Sequence, residues 1–414
     1  MSGASQIQGP GHGARLASRP SSIASVATAL PPHRYEQREL TDAFAAVVGL
    51  NGSGEGNLLR RLHDNAGVAS RHLALPLERY PLDGFTESND EFLRVAVDLA
   101  HEALETALTQ AGRAASEIDL IVTATVTGLA VPSLDARLVR RAGLRRDVKR
   151  MPLVGLGCVA GAAGLARAHD YLVGHPDALV ALVCVELCSL TVQCDDRSTA
   201  NLVASGLFGD GAACVLLAGP DHELARRAVP ERDNRNVLVR RLAEAEAEAE
   251  AGAGAGAGTG AGGRGRRGPR LSVLASRSRF YDDTERAMGF DVGEHGLRIV
   301  LDAVVPDLVR ANLRADLDGF LGDHGLTRED VDFWVAHPGG PKILDSLAEA
   351  LEVPPEALAV TWRSLEQVGN MSSVSVLHVL HDTLRDVPPA PGSTGVLLAM
   401  GPGFCSELVL LEAS

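Results

Sequence analysis

Met151-Pro-Leu-Val-Gly-Leu-Gly-Cys-Val-Ala-Gly-Ala-Ala-Gly-Leu-Ala-Arg-Ala-His-Asp-Tyr-Leu172 is the stretch on which the reading of this chain turns. An apolar run ends in glycines, one cysteine follows, and small residues then recur at helical spacing through Leu165, Ala168 and Leu172. The pattern predicts a strand, a tight turn and a helix, with Cys158 at the turn. There the unpaired N–H groups and the dipole of a helix N-terminus favour a thiolate and lower the thiol's pKa. Gly155, Gly157, Gly161 and Gly164 keep side chains away from the sulfur. Taken alone, Cys158 is equally compatible with a buried structural cysteine, the commonest fate of a free thiol.

Working outward, Ser22–Leu30 reads as a first strand closed by Pro31 and Pro32, after a Gly/Ser/Ala-rich stretch, residues 1–21, that reads as a disordered tail. Gln37 to His63 carries helical signals interrupted by a loop at Asn51-Gly-Ser-Gly-Glu-Gly56. Ser88-Asn-Asp-Glu91 matches a capping box, followed by Leu93, Val97, Ala100, Leu104 and Leu108 at helical spacing. The β-branched run Ile118–Thr125 and a helix over Asp135–Ala142 come next. Strand and helix alternate, so the class is α/β.

The chain then echoes itself. Ser116–Ala124 is matched by Arg328–His337, and the helix that follows Gly157-Cys158 by the one that follows Gly369-Asn370. Gly209–Leu217 is matched by Gly401–Leu411. Three matches in one order predict a duplicated fold with two halves, residues 22–220 and 271–414. Cys158 and Asn370 then top corresponding helices, His337 ends a strand, and all three can meet at the seam, a common place for a site. Residues 221–270 form a linker whose Ala/Glu and Gly/Ala repeats, Ala243 to Gly268, lack the side chains to build a core.

A chain of 414 residues, 45% hydrophobic, buries a large core. Its net charge of -14 argues against a nucleic-acid partner. Six cysteines, mostly within apolar segments, do not form a disulfide framework, and a reducing cytoplasm fits them. Cys184, Cys188 and Cys194 are irregularly spaced with no nearby histidine, so no metal site is expected. No apolar run approaches the ~18 residues that span a bilayer, and no signal-peptide core is present, so neither membrane insertion nor export is expected.

Cys158, His337 and Asn370 suit thioester chemistry. A thiolate accepts an acyl group, and two neutral donors stabilise the enolate oxygen formed when a malonyl thioester loses carbon dioxide. Each residue also has a plain structural explanation: a packed strand-end histidine for His337, a helix cap for Asn370. Their duplicated positions favour chemistry.

Gly157-Cys158, Leu207-Phe-Gly-Asp-Gly211, His337-Pro-Gly-Gly340, Gly369-Asn-Met-Ser-Ser373 and Gly401-Pro-Gly403 together resemble the chalcone synthase-like type III polyketide synthases. The resemblance covers Ser22 to the C-terminus except the insertion. It implies a thiolase-like fold of layered helix, sheet, helix, sheet and helix, a homodimer, acyl-CoA and malonyl-CoA substrates, and no cofactor. It also implies that Cys158 carries the acyl chain while His337 and Asn370 serve decarboxylation. Phe208 and Phe290 match two gatekeeping phenylalanines, Arg61 matches a cation near the CoA phosphates, and Gly403 belongs to the Gly-Pro-Gly turn. Val183–Gln193 looks like the bacterial alkylresorcinol and alkylpyrone synthases, which take long fatty acyl starters. On that likeness Cys188, Thr191 and Val126 line an apolar tunnel, although the same residues also suit an ordinary core. Three other readings stand beside this one: a tetrahydroxynaphthalene-type synthase using malonyl-CoA only, a ketoacyl-carrier-protein synthase of the Cys-His-Asn type, and an inactive binding protein of the same fold.

Overall fold

The run Leu179–Leu187 is apolar but for Glu186, and a strand of that composition has to be covered on both faces. The fold meets this demand twice. The computed structural model describes residues 19–226, 270–293 and 296–414. The first eighteen residues and the Ala/Glu/Gly insertion lie outside the described residues.

In chain order the first part comprises β1 (Ser21–Ala29), β2 (His33–Glu36), α1 (Gln37–Val47), α2 (Gly54–Asp64), β3 (Ser70–Leu73), α3 (Gly84–Ala111), β4 (Leu120–Ala124) and α4 (Leu134–Ala142). There follow β5 (Lys149–Leu153), α5 (Ala160–Gly174), β6 (Leu179–Leu187), α6 (Thr199–Leu207), β7 (Asp210–Ala218) and α7 (Glu223–Arg226). The second part comprises β8 (Leu271–Phe280), β9 (Met288–Gly293), β10 (Gly296–Leu301), α8 (Val305–Gly322), β11 (Phe333–Ala336) and α9 (Pro341–Leu351). It ends with α10 (Ala359–Val368), α11 (Ser373–Asp386), β12 (Thr394–Gly401) and β13 (Cys405–Ala413).

Nine strands form one sheet in the order β11-β12-β13-β8-β1-β7-β6-β4-β5. Outward from the β8–β1 seam the two sides repeat each other: two antiparallel pairings, then a parallel one, β6 with β4 and β12 with β11. Strand β5 extends the first side alone. Successive side chains of a strand face opposite ways, and the two faces are buried differently. Val180, Leu182, Val215, Leu217, Leu397 and Val409 pack on α5 and α11 in one shared core. The alternate residues Ala181, Val183 and Leu216 pack on α3, while Val396, Leu398 and Leu408 pack on α8 and α9. Each half of the sheet thus lies between the shared central helices and its own outer helices, the duplicated, thiolase-like order of helix, sheet, helix, sheet and helix in which the two sheet layers are the two sides of one continuous sheet.

The central helices approach closely because their contact is built from small residues. A Cβ at Gly161 of α5 would lie 2.3 Å from the carbonyl oxygen of Ser373 at the start of α11, so no larger residue fits. This contact carries the segments before the two helices, Gly157-Cys158 and Gly369-Asn370, to the same seam.

Two local expectations are corrected. Ser88 does not cap α3: the helix begins a turn earlier at Gly84, and the Ser88 hydroxyl donates to the Gly84 carbonyl from inside it. The loop read over residues 51–56 ends sooner, because Ser53 caps α2 by accepting from the Gly56 amide, drawing both glycines into the helix.

Candidate active site

Cys158 sits in a 3-10 turn, Gly157–Val159, that leads directly into α5. Gly157 takes φ 52 and meets Pro402, so the Gly-Pro-Gly turn between β12 and β13 closes over the cysteine from the other half. Asn370 is placed by a short parallel bridge with Phe208: its amide donates to the Leu207 carbonyl and its carbonyl accepts from the Gly209 amide, both at 2.9 Å. Gly369 makes this possible at φ 71, where a Cβ would come within 2.7 Å of the Leu207 oxygen. His337 follows β11 and donates its amide to the Leu398 carbonyl of β12.

Hydrogen bonds run from the cysteine's neighbour Ser372 through Asn370 to the turn that follows His337. The Cys158 thiol is hydrogen-bonded to the Ser372 side chain. The Ser372 amide donates to Asn370 Oδ1 at 2.8 Å, and Asn370 Nδ2 reaches the Gly339 carbonyl at 3.5 Å, in the turn that begins at His337. Ser372 is buried and held at φ 49, a strained conformation for a residue other than glycine. His337 is 5% exposed and its Nδ1 has no partner among the described residues.

The electrostatics correct the expectation of a thiol pKa lowered by the helix terminus. Burial pushes the Cys158 thiol up to about 12, with the Ser372 hydrogen bond pulling the other way. Burial likewise holds the His337 imidazole down to about 4. Each group by itself is therefore neutral.

A cavity of about 70 Å³ opens at the thiol. Val126, Cys188, Thr191, Phe208 and Phe290 line it, together with Cys158, Ser372 and Pro402. The hairpin of β9 and β10 contributes Met288 and Ile299 to the same wall. His337 and Asn370 are buried beside this cavity rather than on its wall. Gly403 is in the turn next to Pro402, at φ 76, and does not line it. Arg61 is on the exposed face of α2 and is not brought to the cavity.

Two residues were missed in the sequence. Glu186 is fully buried and accepts from the Ser373 hydroxyl, the Val126 amide and the hydroxyls of Thr125 and Thr127, joining both sides of the cavity floor. Its signal was a lone carboxylate in an apolar strand, which is tolerated only when fully hydrogen-bonded. Ser372 lay within the Gly-Asn-Met-Ser-Ser motif, but only its strained turn aims it at the thiol. Among the described residues no cluster of histidine, cysteine or acidic side chains could hold a metal ion, and no helix is long and apolar enough to cross a membrane.

Residues 11–221 match the N-terminal domain of chalcone and stilbene synthases, and residues 272–414 match the C-terminal domain. The chain is 49% identical to the 1,3,6,8-tetrahydroxynaphthalene synthase of Streptomyces peucetius subsp. caesius, over 95% of this chain and 93% of the relative. It is 28% identical to the alpha-pyrone synthesis polyketide synthase-like Pks18 of Mycobacterium tuberculosis, over 99% and 98% of the two chains. The crystal structure of 1,3,6,8-tetrahydroxynaphthalene synthase from Streptomyces coelicolor A3(2), a bacterial type III polyketide synthase, superposes with a TM-score of 0.79 at 28% identity, covering 94% of this chain and 99% of that one. With both domains matched in order and the fold shared along nearly the whole length, this chain belongs to the chalcone and stilbene synthase family of type III polyketide synthases, CoA-dependent acyltransferases that use malonyl-CoA as extender.

Proposed function

We propose that Cys158 carries the acyl chain, and that His337 and Asn370 stabilise the enolate formed as malonyl-CoA loses carbon dioxide. The supporting observation is spare hydrogen-bonding capacity in buried side chains near the largely apolar pocket that holds the thiol. Among the described residues Nδ1 of His337 has no partner, and Nδ2 of Asn370 makes only a long contact. Buried polar groups are ordinarily satisfied, so these await a substrate oxygen or the thiol proton. The sulfur attacks the starter thioester and releases CoA. The enolate then attacks the thioester carbonyl on Cys158, and the lengthened chain returns to the sulfur.

For the chain itself we favour malonyl-CoA as both starter and extender. The 49% identical relative is named for a tetrahydroxynaphthalene product, and a 70 Å³ cavity at the thiol suits a small starter. A long-chain acyl starter leading to an alkylresorcinol or alkylpyrone is the second reading. The apolar wall of Val126 and Cys188 and the pyrone-forming relative support it. A homodimer is part of the proposal: Leu129, Val131 and Val154 are 47%, 99% and 67% exposed, apolar side chains that a second copy would cover. All six cysteines are free, which fits a reducing compartment such as the cytoplasm.

Mass spectrometry of products from malonyl-CoA alone, and from malonyl-CoA with acyl-CoAs of increasing length, tests the choice. A polyketide from malonyl-CoA alone is expected. Turnover that requires a long acyl-CoA transfers the assignment to the second reading.

A further inference from the structure

One polar side chain on the wall beside Cys158 has no part in the chemistry proposed above. Asn201 is in the first turn of α6 and only 3% exposed, yet it lines the cavity that holds the thiol. Both hydrogens of its Nδ2 are spent on backbone carbonyls, those of Gln193 and Asp196, each at 2.7 Å. A carbonyl only accepts, so these two bonds fix which end of the carboxamide is nitrogen and hold the plane of the group. Oδ1 accepts from no group of the described residues, and it is not among their sealed, unsatisfied buried atoms, so it faces the cavity. Buried polar atoms are ordinarily paired, and a rigid acceptor on that wall calls for a donor from the ligand.

The protein does not supply that donor. On the same wall the Thr127 hydroxyl donates to Glu186 and the Thr191 hydroxyl to the Cys188 carbonyl, both at 2.9 Å. Nor does the acyl group: ketones, thioester carbonyls and an ionised malonyl carboxylate only accept. A CoA thioester carries one donor close to its sulfur, the amide N–H of the cysteamine unit, two methylenes away. Asn201 is placed to meet it. Ala204, one turn further along α6, lines the thiol cavity, whereas Ser198 and Ala200 line an outer groove, and Ile299, Val300 and Leu301 of β10 border both spaces. A cavity of about 70 Å³ cannot take in the nucleotide, so a thioester whose acyl carbon meets the Cys158 sulfur has its arm crossing the wall between α6 and β10.

We propose that Asn201 Oδ1 accepts the amide N–H nearest the thioester sulfur of the incoming CoA substrate, which makes Asn201 a specificity residue that reads the arm rather than the acyl group. The proposal rests on the polyketide reading above and adds to it a contact common to starter and extender.

Two small malonyl thioesters test it on the full chain, with release of carbon dioxide as the measurement. One is the thioester of N-acetylcysteamine, which keeps the N–H; the other is that of 2-mercaptoethyl acetate, which has an ester oxygen in its place. Wild-type protein should favour the first by about two- to tenfold in kcat/KM, the worth of one hydrogen bond, chiefly through KM. Asn201→Ala should bring the two thioesters to equal kcat/KM. Both are compared within one variant, so any general loss of activity from loosening the Gln193–Asp196 segment cancels. An unchanged preference in Asn201→Ala overturns the proposal. Equal kcat/KM in the wild-type protein overturns it too, and that result needs no variant to fold. Failure of the underlying reading looks different: the wild-type protein would release no carbon dioxide from malonyl-CoA, and both proposals would fall together.

Discussion

Replacing Asn370 separates its two edges. Its Oδ1 accepts from the Ser372 amide at 2.8 Å, which fixes the carboxamide and leaves Nδ2 with only a 3.5 Å contact to Gly339. On the proposed role, a donor so placed would meet its best acceptor when the malonyl oxygen becomes an enolate, and would act on the transition state more than on the bound substrate. Removal of one such donor lowers rates by roughly 100- to 1,000-fold, about 3 to 4 kcal/mol. Asn370→Ala should slow decarboxylation of malonyl-CoA by that factor with little change in KM. It also strands the buried Ser372 amide, at a cost of about 1 to 3 kcal/mol in stability. Asn370→Asp is the sharper probe. It keeps an acceptor for Ser372 but puts an anion where the donor was, so decarboxylation should fall at least as far as in the alanine variant. Cys158→Ala should form no polyketide yet still release carbon dioxide, whereas His337→Ala should lose both activities. Release of labelled carbon dioxide by the four variants, each checked as folded by circular dichroism, provides the measurement. The reasoning fails if Asn370→Asp decarboxylates within about tenfold of wild type, or if Cys158→Ala does no better than His337→Ala.

Two further outcomes concern stability. Glu186→Ala strands the hydroxyls of Ser373, Thr125 and Thr127 and the Val126 amide, so at about 1 to 3 kcal/mol for each unpaired buried donor it should lose about 4 kcal/mol or more in urea unfolding. A wild-type midpoint would show that the network carries no such load. Burial holds the Asp210 carboxyl up at about 6, above its ordinary 3.8. Between those values the native protein keeps a proton that the unfolded chain has lost, so this group's contribution to stability declines as pH rises, by about 3 kcal/mol in all. Asp210→Asn should flatten that decline in unfolding titrations from pH 4 to 6.5. A slope identical to wild type would refute the assignment.

Much of the fold was legible because its signals are local or repeated. The strand, turn and helix around Cys158 follow from periodicity and glycine placement, and Leu165, Ala168 and Leu172 are all fully buried as the spacing requires. The repeated segments predicted a duplicated fold, since two similar sequences bury similar faces, and the strand order is indeed mirrored about the β8–β1 seam. Val126, Cys188, Thr191, Phe208 and Phe290 were chosen from a family likeness, and all five line one cavity. Helix starts were less legible, as Ser88 shows: a polar side chain can cap a helix or donate to the carbonyl one turn back, and only the backbone decides.

What the tertiary structure alone decided is what depends on contacts between distant segments. The sequence by itself placed a cysteine at a helix terminus and so pointed to a lowered pKa. Burial between the two halves pushes the thiol the other way, and burial is a sum over neighbours that no local pattern contains. Glu186, read in sequence as one residue of an apolar strand, becomes the junction of four hydrogen bonds only when α11 and the Thr125–Thr127 segment arrive beside it. Arg61 remained on the surface for the same reason. The order of residues along the chain determined which chemical groups were present, and the packing of one half on the other determined which of them share a space.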